Sequence, residues 1–161
     1  MAPFELGGTG PDFVLFRNGP VTLVHREEVL DDTLTLLTDL GYLVPRFDAR
    51  AWADKAGFAS AVKQGLGFPD HFGGNLDAFD DSLREVALGT GQDVTGLVLV
   101  FTGYDAFAGR DPRTAQAILD IVADVARFAM LFGRRLACLV QSDDPGLRFG
   151  PVGATPVGPQ S

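Results

Sequence analysis

The chain has 161 residues, enough for one domain with a hydrophobic core, and its 46 % hydrophobic and 21 % charged content is that of a globular protein. Thirteen basic against 21 acidic residues give a net charge of −8. That balance argues against direct nucleic-acid binding, which needs a basic stripe to neutralise phosphates, and favours attraction to basic partners.

Residues 1–11 are glycine-rich and lack periodicity. Met1 to Leu6 shows no basic region followed by an apolar stretch, so no signal peptide is expected. No apolar run approaches about 18 residues, so no membrane span is expected either, and a cytoplasmic location follows. Phe13–Arg17 and Val21–His25 are strand-like and flank the turn residues Asn18-Gly19-Pro20, which predicts a hairpin. Val29, Leu30, Leu34, Leu37 and Leu40 carry helical spacing over 27–40, stopped by Gly41. Tyr42–Asp48 is a strand candidate in which Pro45 implies an edge position or an interrupted ladder.

A second helix is predicted over about 52–65, with Trp52, Phe58, Ala59 and Val62 as its apolar contacts. A third covers 76–87. Leu97–Phe101 is almost wholly apolar, as befits a central strand covered on both faces. Residues 102–107 read as a short connecting segment. A long helix follows from Pro112 to Phe132, with Ile118, Ile121, Val122, Val125 and Ala129 on one face, and Arg135–Gln141 is the last strand. Cys138, the only cysteine, lies in that apolar run and reads as a buried thiol; no internal disulfide can form. The tail after 141 shows no buried pattern and reads as disordered. From residue 43 the order is β-α-α-β-α-β, so the fold class is α/β, a parallel sheet with helical crossovers. The expected organisation is an extension over 1–42, a core domain over 43–141 and a loose tail over 142–161.

The richest stretch is Phe68-Pro69-Asp70-His71-Phe72-Gly73-Gly74-Asn75-Leu76-Asp77-Ala78-Phe79-Asp80-Asp81-Ser82-Leu83. A glycine turn, Gly73-Gly74, leads into a helix for which Asn75 is a good N-cap. Leu76, Phe79 and Leu83 mark the buried stripe, and Asp77 and Asp81 fall four apart on the other face, with Asp80 beside them. Like charges at that spacing cost a helix roughly 0.2–0.5 kcal/mol, so the stacking gives the helix nothing locally. A carboxylate near a helix start is also favoured by the macrodipole, which leaves a purely structural reading of Asp77 open. Asp80 divides between a solvated face and a binding role; Asp124 reads first as a solvated helix position. His71 is open between base, ligand and plain loop residue. His71 with Asp77 and Asp81 matches no metal-ligand spacing, and no metal or cofactor is expected.

This stretch resembles the barstar-like family of ribonuclease inhibitors, whose pattern is proline, an acid, two aromatics, glycine, any residue, then Asn-Leu-Asp-Ala and an aspartate-bearing turn. The resemblance covers roughly 43–141 and implies a central parallel sheet covered by helices. It implies a non-enzymatic, intracellular inhibitor, monomeric when free, that plugs a small basic secreted-type ribonuclease and protects the producing cell as an immunity protein. Asp81 would occupy the nuclease's phosphate position, meeting arginines and a histidine, and Asp77 would pair with a neighbouring arginine. The loop residues His71, Phe72, Gly73, Gly74 and Asn75 would join the contact, His71 where the family often has an aromatic packing on the catalytic histidine. Asp124 falls near a further acidic contact. Asp80 and His71 replace family aromatics. Two other readings stand beside this one: a binding module of the same fold for a different basic protein or toxin, and a small hydrolase using the aspartates as general acid and base, which would need them in a concave pocket.

Overall fold

A computed structural model describes residues 19–69, 73–89 and 93–150, and the backbone of 158–160. Its strands are β1 (Val21–Val24), β2 (Tyr42–Leu43), β3 (Arg46–Asp48), β4 (Gly96–Thr102), β5 (Leu136–Gln141) and β6 (Gly158–Gln160). Its helices are α1 (Glu27–Asp39), α2 (Lys55–Leu66), α3 (Leu76–Gly89), α4 (Tyr104–Arg110) and α5 (Pro112–Met130), with a single 3₁₀ turn at Ala49–Ala51. All pairings are parallel, in the order β2-β4-β5-β1-β6, and β3 continues the β2 edge along β4. No helix among the described residues is long and apolar enough to cross a membrane.

Strand alternation divides the core in two. Leu97, Leu99 and Phe101 of β4 point into the larger cluster with α2, α3, α4 and α5, while Val98 and Val100 point into a smaller one with Leu30 and Leu37 of α1. The sheet is therefore buried on both faces, which explains why β4 reads as an unbroken apolar run. Trp52 anchors the larger cluster, edge-on to Phe58, Phe101 and Phe107 at 5.1–5.4 Å. Cys138 is fully buried, and burial pushes its thiol up, so it is chemically quiet.

Several expectations are corrected. Both sides of β1 over Thr22–Val24 are taken by parallel partners, β5 and β6, so β1 is an inner strand and not one arm of a hairpin there. The other predicted arm, Phe13–Arg17, lies outside the described residues. The strand over 42–48 is real but broken at Val44-Pro45. Trp52 precedes its helix, which begins after the N-cap Asp54. The segment after β4 is not a plain connection: Tyr104, Phe107 and Ala108 recur at helical spacing and form the buried face of α4. Residues 142–150 are ordered, with Leu147 and Phe149 packed on the core and Gly150 bonded to Gln116, and β6 adds an edge strand.

The loops at the carboxyl ends of the strands are tied together by Arg50. It donates to Asp143 at 2.8 Å, to Asp48 at 3.3 Å and to Glu27 at 3.4 Å. Gln141, fully buried, accepts from the Gly103 N–H at 2.8 Å and donates to Asp143 at 3.0 Å. Gly103 has φ of +61°, and a Cβ there would lie 2.3 Å from the Arg50 side chain.

Two tests follow from this cluster. Gly103→Ala should cost about 1–2 kcal/mol in urea unfolding for the left-handed backbone alone, and more as Arg50 is displaced. The Arg50 guanidinium holds the Asp143 carboxyl below the usual range, with Gln141 adding to it. Its stabilisation is thus present above the unfolded carboxylate pKa, about 4, and is lost as pH falls through the lower folded value. Asp143→Asn should therefore flatten the decline of unfolding midpoint below about pH 4. At neutral pH it should cost under about 1 kcal/mol, because the pair is solvent-screened.

Candidate functional site

Helix α3 is set by local chemistry at its start and by packing along its length. Gly74, at φ +73°, turns the chain, and the Asn75 side chain then accepts from the Ala78 N–H at 2.7 Å. Phe79, Leu83 and Ala87 are buried at 0–2 % exposure, and Phe79 meets Phe58 edge-on at 4.9 Å. That seam leaves Asp77 and Asp81 exposed together on the outer face. Glu85, one further turn along, is exposed as well. The three carboxylates at i, i+4 and i+8 form one row about 12 Å long. Among the described residues no ion pair engages any of them, so their charge is available to an incoming group.

Asp80 stands apart from that row. It accepts from Arg84 Nε at 2.7 Å, and the Arg84 guanidinium lies 4.5 Å from the centre of the Phe128 ring on α5. Asp80 is thereby paired with a cation that itself lies over a ring of α5. Asp124 is exposed on α5, and its carboxylate is engaged by Arg127 of the same helix rather than by any group of α3. Gly73 and Gly74 form the approach to α3; Asp70, His71 and Phe72 lie outside the described residues. Glu85 was missed in the sequence although its spacing continues the row. The Arg84–Phe128 contact joins two distant segments and had no local signal.

The arrangement can offer a row of exposed hydrogen-bond acceptors on one face of a helix whose other face is packed in the core. General acid–base chemistry with raised carboxyl pKa values would need these side chains in a water-excluding pocket, whereas Asp77, Asp81 and Glu85 are exposed. A depression of about 330 Å³ lies between α4, the start of α5 and residues 144–150, and no residue of α3 lines it. Among the described residues no group of three or more His, Cys, Asp or Glu side chains is placed to hold a metal ion. In open parallel sheets ligands bind at the carboxyl ends of the strands. Here that edge is crossed by Arg50 and its partners, and α1 opens with Glu27 and Glu28, which already use the positive end of its dipole. A phosphate would find carboxylates there.

A family model described as Barstar (barnase inhibitor) matches residues 42–141. The chain belongs to that family, whose members are inhibitors and binding modules. The match runs from β2 to β5 and leaves β1 and α1 outside, although both are built into the sheet and its second layer. No curated protein matches the chain. Among solved structures, the Drosophila ORC bound to AT-rich DNA and Cdc6 is similar at TM-score 0.52 and 16 % identity, over 82 % of this chain and 43 % of that one. A Walker-type ATPase of Pyrococcus abyssi gives TM-score 0.48 and 12 % identity, over 81 % of this chain and 42 % of that one. The chain spans less than half the length of each. At 16 % identity the likeness to the first is one of fold alone.

The cap makes a direct test of how the row is held. Asn75→Ala should lower stability by about 1 kcal/mol and speed amide exchange in the first turn of α3, measured by hydrogen exchange, while leaving exchange in β4 in step with global unfolding.

Proposed function

We propose that this barstar-family chain is an intracellular inhibitor of a small basic microbial ribonuclease, acting by insertion of α3 into the enzyme's active-site cleft. Such a cleft must attract a polyanion and is lined with cationic side chains. The carboxylates of Asp81 and Asp77 take the place of RNA phosphates, Asp81 at the reacting phosphate's position and Asp77 against a neighbouring arginine. Glu85 lengthens the row. The loop carrying His71, Phe72 and the two glycines meets the rim. The inhibitor does no chemistry, is free as a monomer in the cytoplasm, and protects its producer as an immunity protein. The observation that carries this reading is the uncompensated row of carboxylates fixed on a helix whose opposite face is sealed in the core.

The physics supports the division of roles. Charge on a rigid face speeds encounter with an oppositely charged cleft. Carboxylate–guanidinium bonds are short and strong once water is excluded. The aspartates are already aimed, so binding costs little ordering of the backbone. The pairing of Asp80 with Arg84, at a position where the family carries an aromatic, favours a second reading: a module of the same fold that captures a basic toxin other than a ribonuclease.

Inhibition of barnase and related guanyl-specific ribonucleases tests the first reading. The unaltered chain should silence at least one of them at equimolar amount. Asp81→Asn should weaken the complex by about 2–5 kcal/mol, the general cost of truncating one partner of a buried interface charge pair. Asp80→Asn should change affinity by less than about threefold, since its charge is already spent on Arg84. Full activity of every such enzyme at excess of the unaltered chain overturns the ribonuclease reading. A tight complex with a non-ribonuclease, weakened by Asp77→Asn and Asp81→Asn, establishes the second.

A further inference from the structure

Helix α3 carries a single cation among its acids, Arg84, and the place of that cation decides whether the row stays open. A long helical side chain leans back over the preceding turn, so Arg84 can reach both Asp80, at i−4, and Asp81, at i−3. Ion pairs at the two spacings are of similar strength, and the helix by itself hardly favours one over the other. The structure nevertheless shows a clear choice. Arg84 Nε donates to Asp80 at 2.7 Å, and among the described residues no ion pair engages Asp81.

The choice is made by α5. Arg84 Cζ lies 4.5 Å from the centre of the Phe128 ring, on the side of α3 that carries Asp80. A guanidinium gains by resting on a ring face, which at a partly exposed site weights that position by a factor of about 2–5. Asp80, Arg84 and Phe128 are all half-buried, whereas Asp77, Asp81 and Glu85 are exposed. The cation is therefore drawn toward the helix packing and away from the outer face.

We infer that Asp80 and Phe128 are positioning residues of the binding surface: together they hold the Arg84 guanidinium off Asp81 and so keep the row uncompensated for a basic partner. The inference rests on the reading of α3 given above. A guanidinium resting on Asp81 would meet the partner's cations first, by like-charge repulsion, and would have to be displaced before Asp81 could bond. Asp80 holds the cation by charge and Phe128 holds it by its ring, so the loss of one leaves the other in place.

Association at low salt with immobilised barnase and related guanyl-specific ribonucleases tests this through an uncharged substitution. On an Asp80→Asn background, Phe128→Leu should slow association about two- to fivefold, as Arg84 moves onto Asp81. With Arg84→Gln added, the same Phe128→Leu change should alter association by less than about 1.5-fold. Proton NMR of the free chain gives a second readout. Arg84 side-chain protons should lie close to the Phe128 ring in the unaltered chain, and close to Asp81 in the variant carrying Asp80→Asn and Phe128→Leu. No slowing on the Asp80→Asn background, or a slowing that persists without Arg84, overturns the inference. Contact of Arg84 with Asp81 in the unaltered chain overturns it as well. If none of the enzymes captures the unaltered chain, the reading of α3 falls, while the NMR contacts still decide whether Asp80 and Phe128 hold the cation off Asp81.

Discussion

Phe79, Leu83 and Ala87 go into the core, and that burial fixes which way the rest of α3 faces. The two larger side chains contribute about 1.5–3 kcal/mol each. The repulsion between stacked carboxylates on the opposite face is roughly 0.2–0.5 kcal/mol per neighbouring pair. Packing therefore outweighs self-repulsion several times over, and the helix can hold Asp77, Asp81 and Glu85 in a row without countercharges. A flexible loop carrying the same residues would spread them apart. The edge-on contact of Phe79 with Phe58 and the Asn75 cap add to the same restraint, one along the helix and one at its start. Rigidity and uncompensated charge are thus two consequences of one seam.

The position of the site on the fold follows from what is closed elsewhere. A parallel sheet with helices on both faces has a natural ligand crevice at its carboxyl edge. In this chain Arg50, Gln141 and Asp143 bridge that edge, and Glu27 and Glu28 stand at the start of α1. The resulting network serves stability. On the proposed reading, binding falls to the outer surface of α3, with the cleft supplied by the partner.

Much of this was legible in the sequence because it is local. The glycine turn, the cap at Asn75, the apolar spacing of Phe79 and Leu83 and the opposed aspartates are all read within a dozen residues, and the structure places each where the spacing puts it. The Asp80–Arg84 pair and Glu85 were equally local, at i+4, but the aspartates drew the reading away from their neighbours. Other features are not local. Arg84, the cationic partner of Asp80, is laid over Phe128, which comes from a distant part of the chain through packing of α3 on α5. The place of β1 inside the sheet is set by pairing with β5 and β6, which its own four residues do not encode. Helix α4 was lost because seven residues give one apolar repeat only, and the ordering of 142–150 depends on Arg50 and Gln116 from far away in the chain.

The central claim is that carboxylates of α3 occupy the position of an RNA phosphate. The most direct measurement is the affinity of the chain for barnase or a related guanyl-specific ribonuclease that it captures, as inorganic phosphate is raised at constant ionic strength. The account predicts that the apparent dissociation constant climbs in proportion to phosphate once the enzyme's phosphate site fills, and that the climb vanishes for Asp81→Asn. An affinity indifferent to phosphate, in a complex that still blocks RNA cleavage, would contradict it.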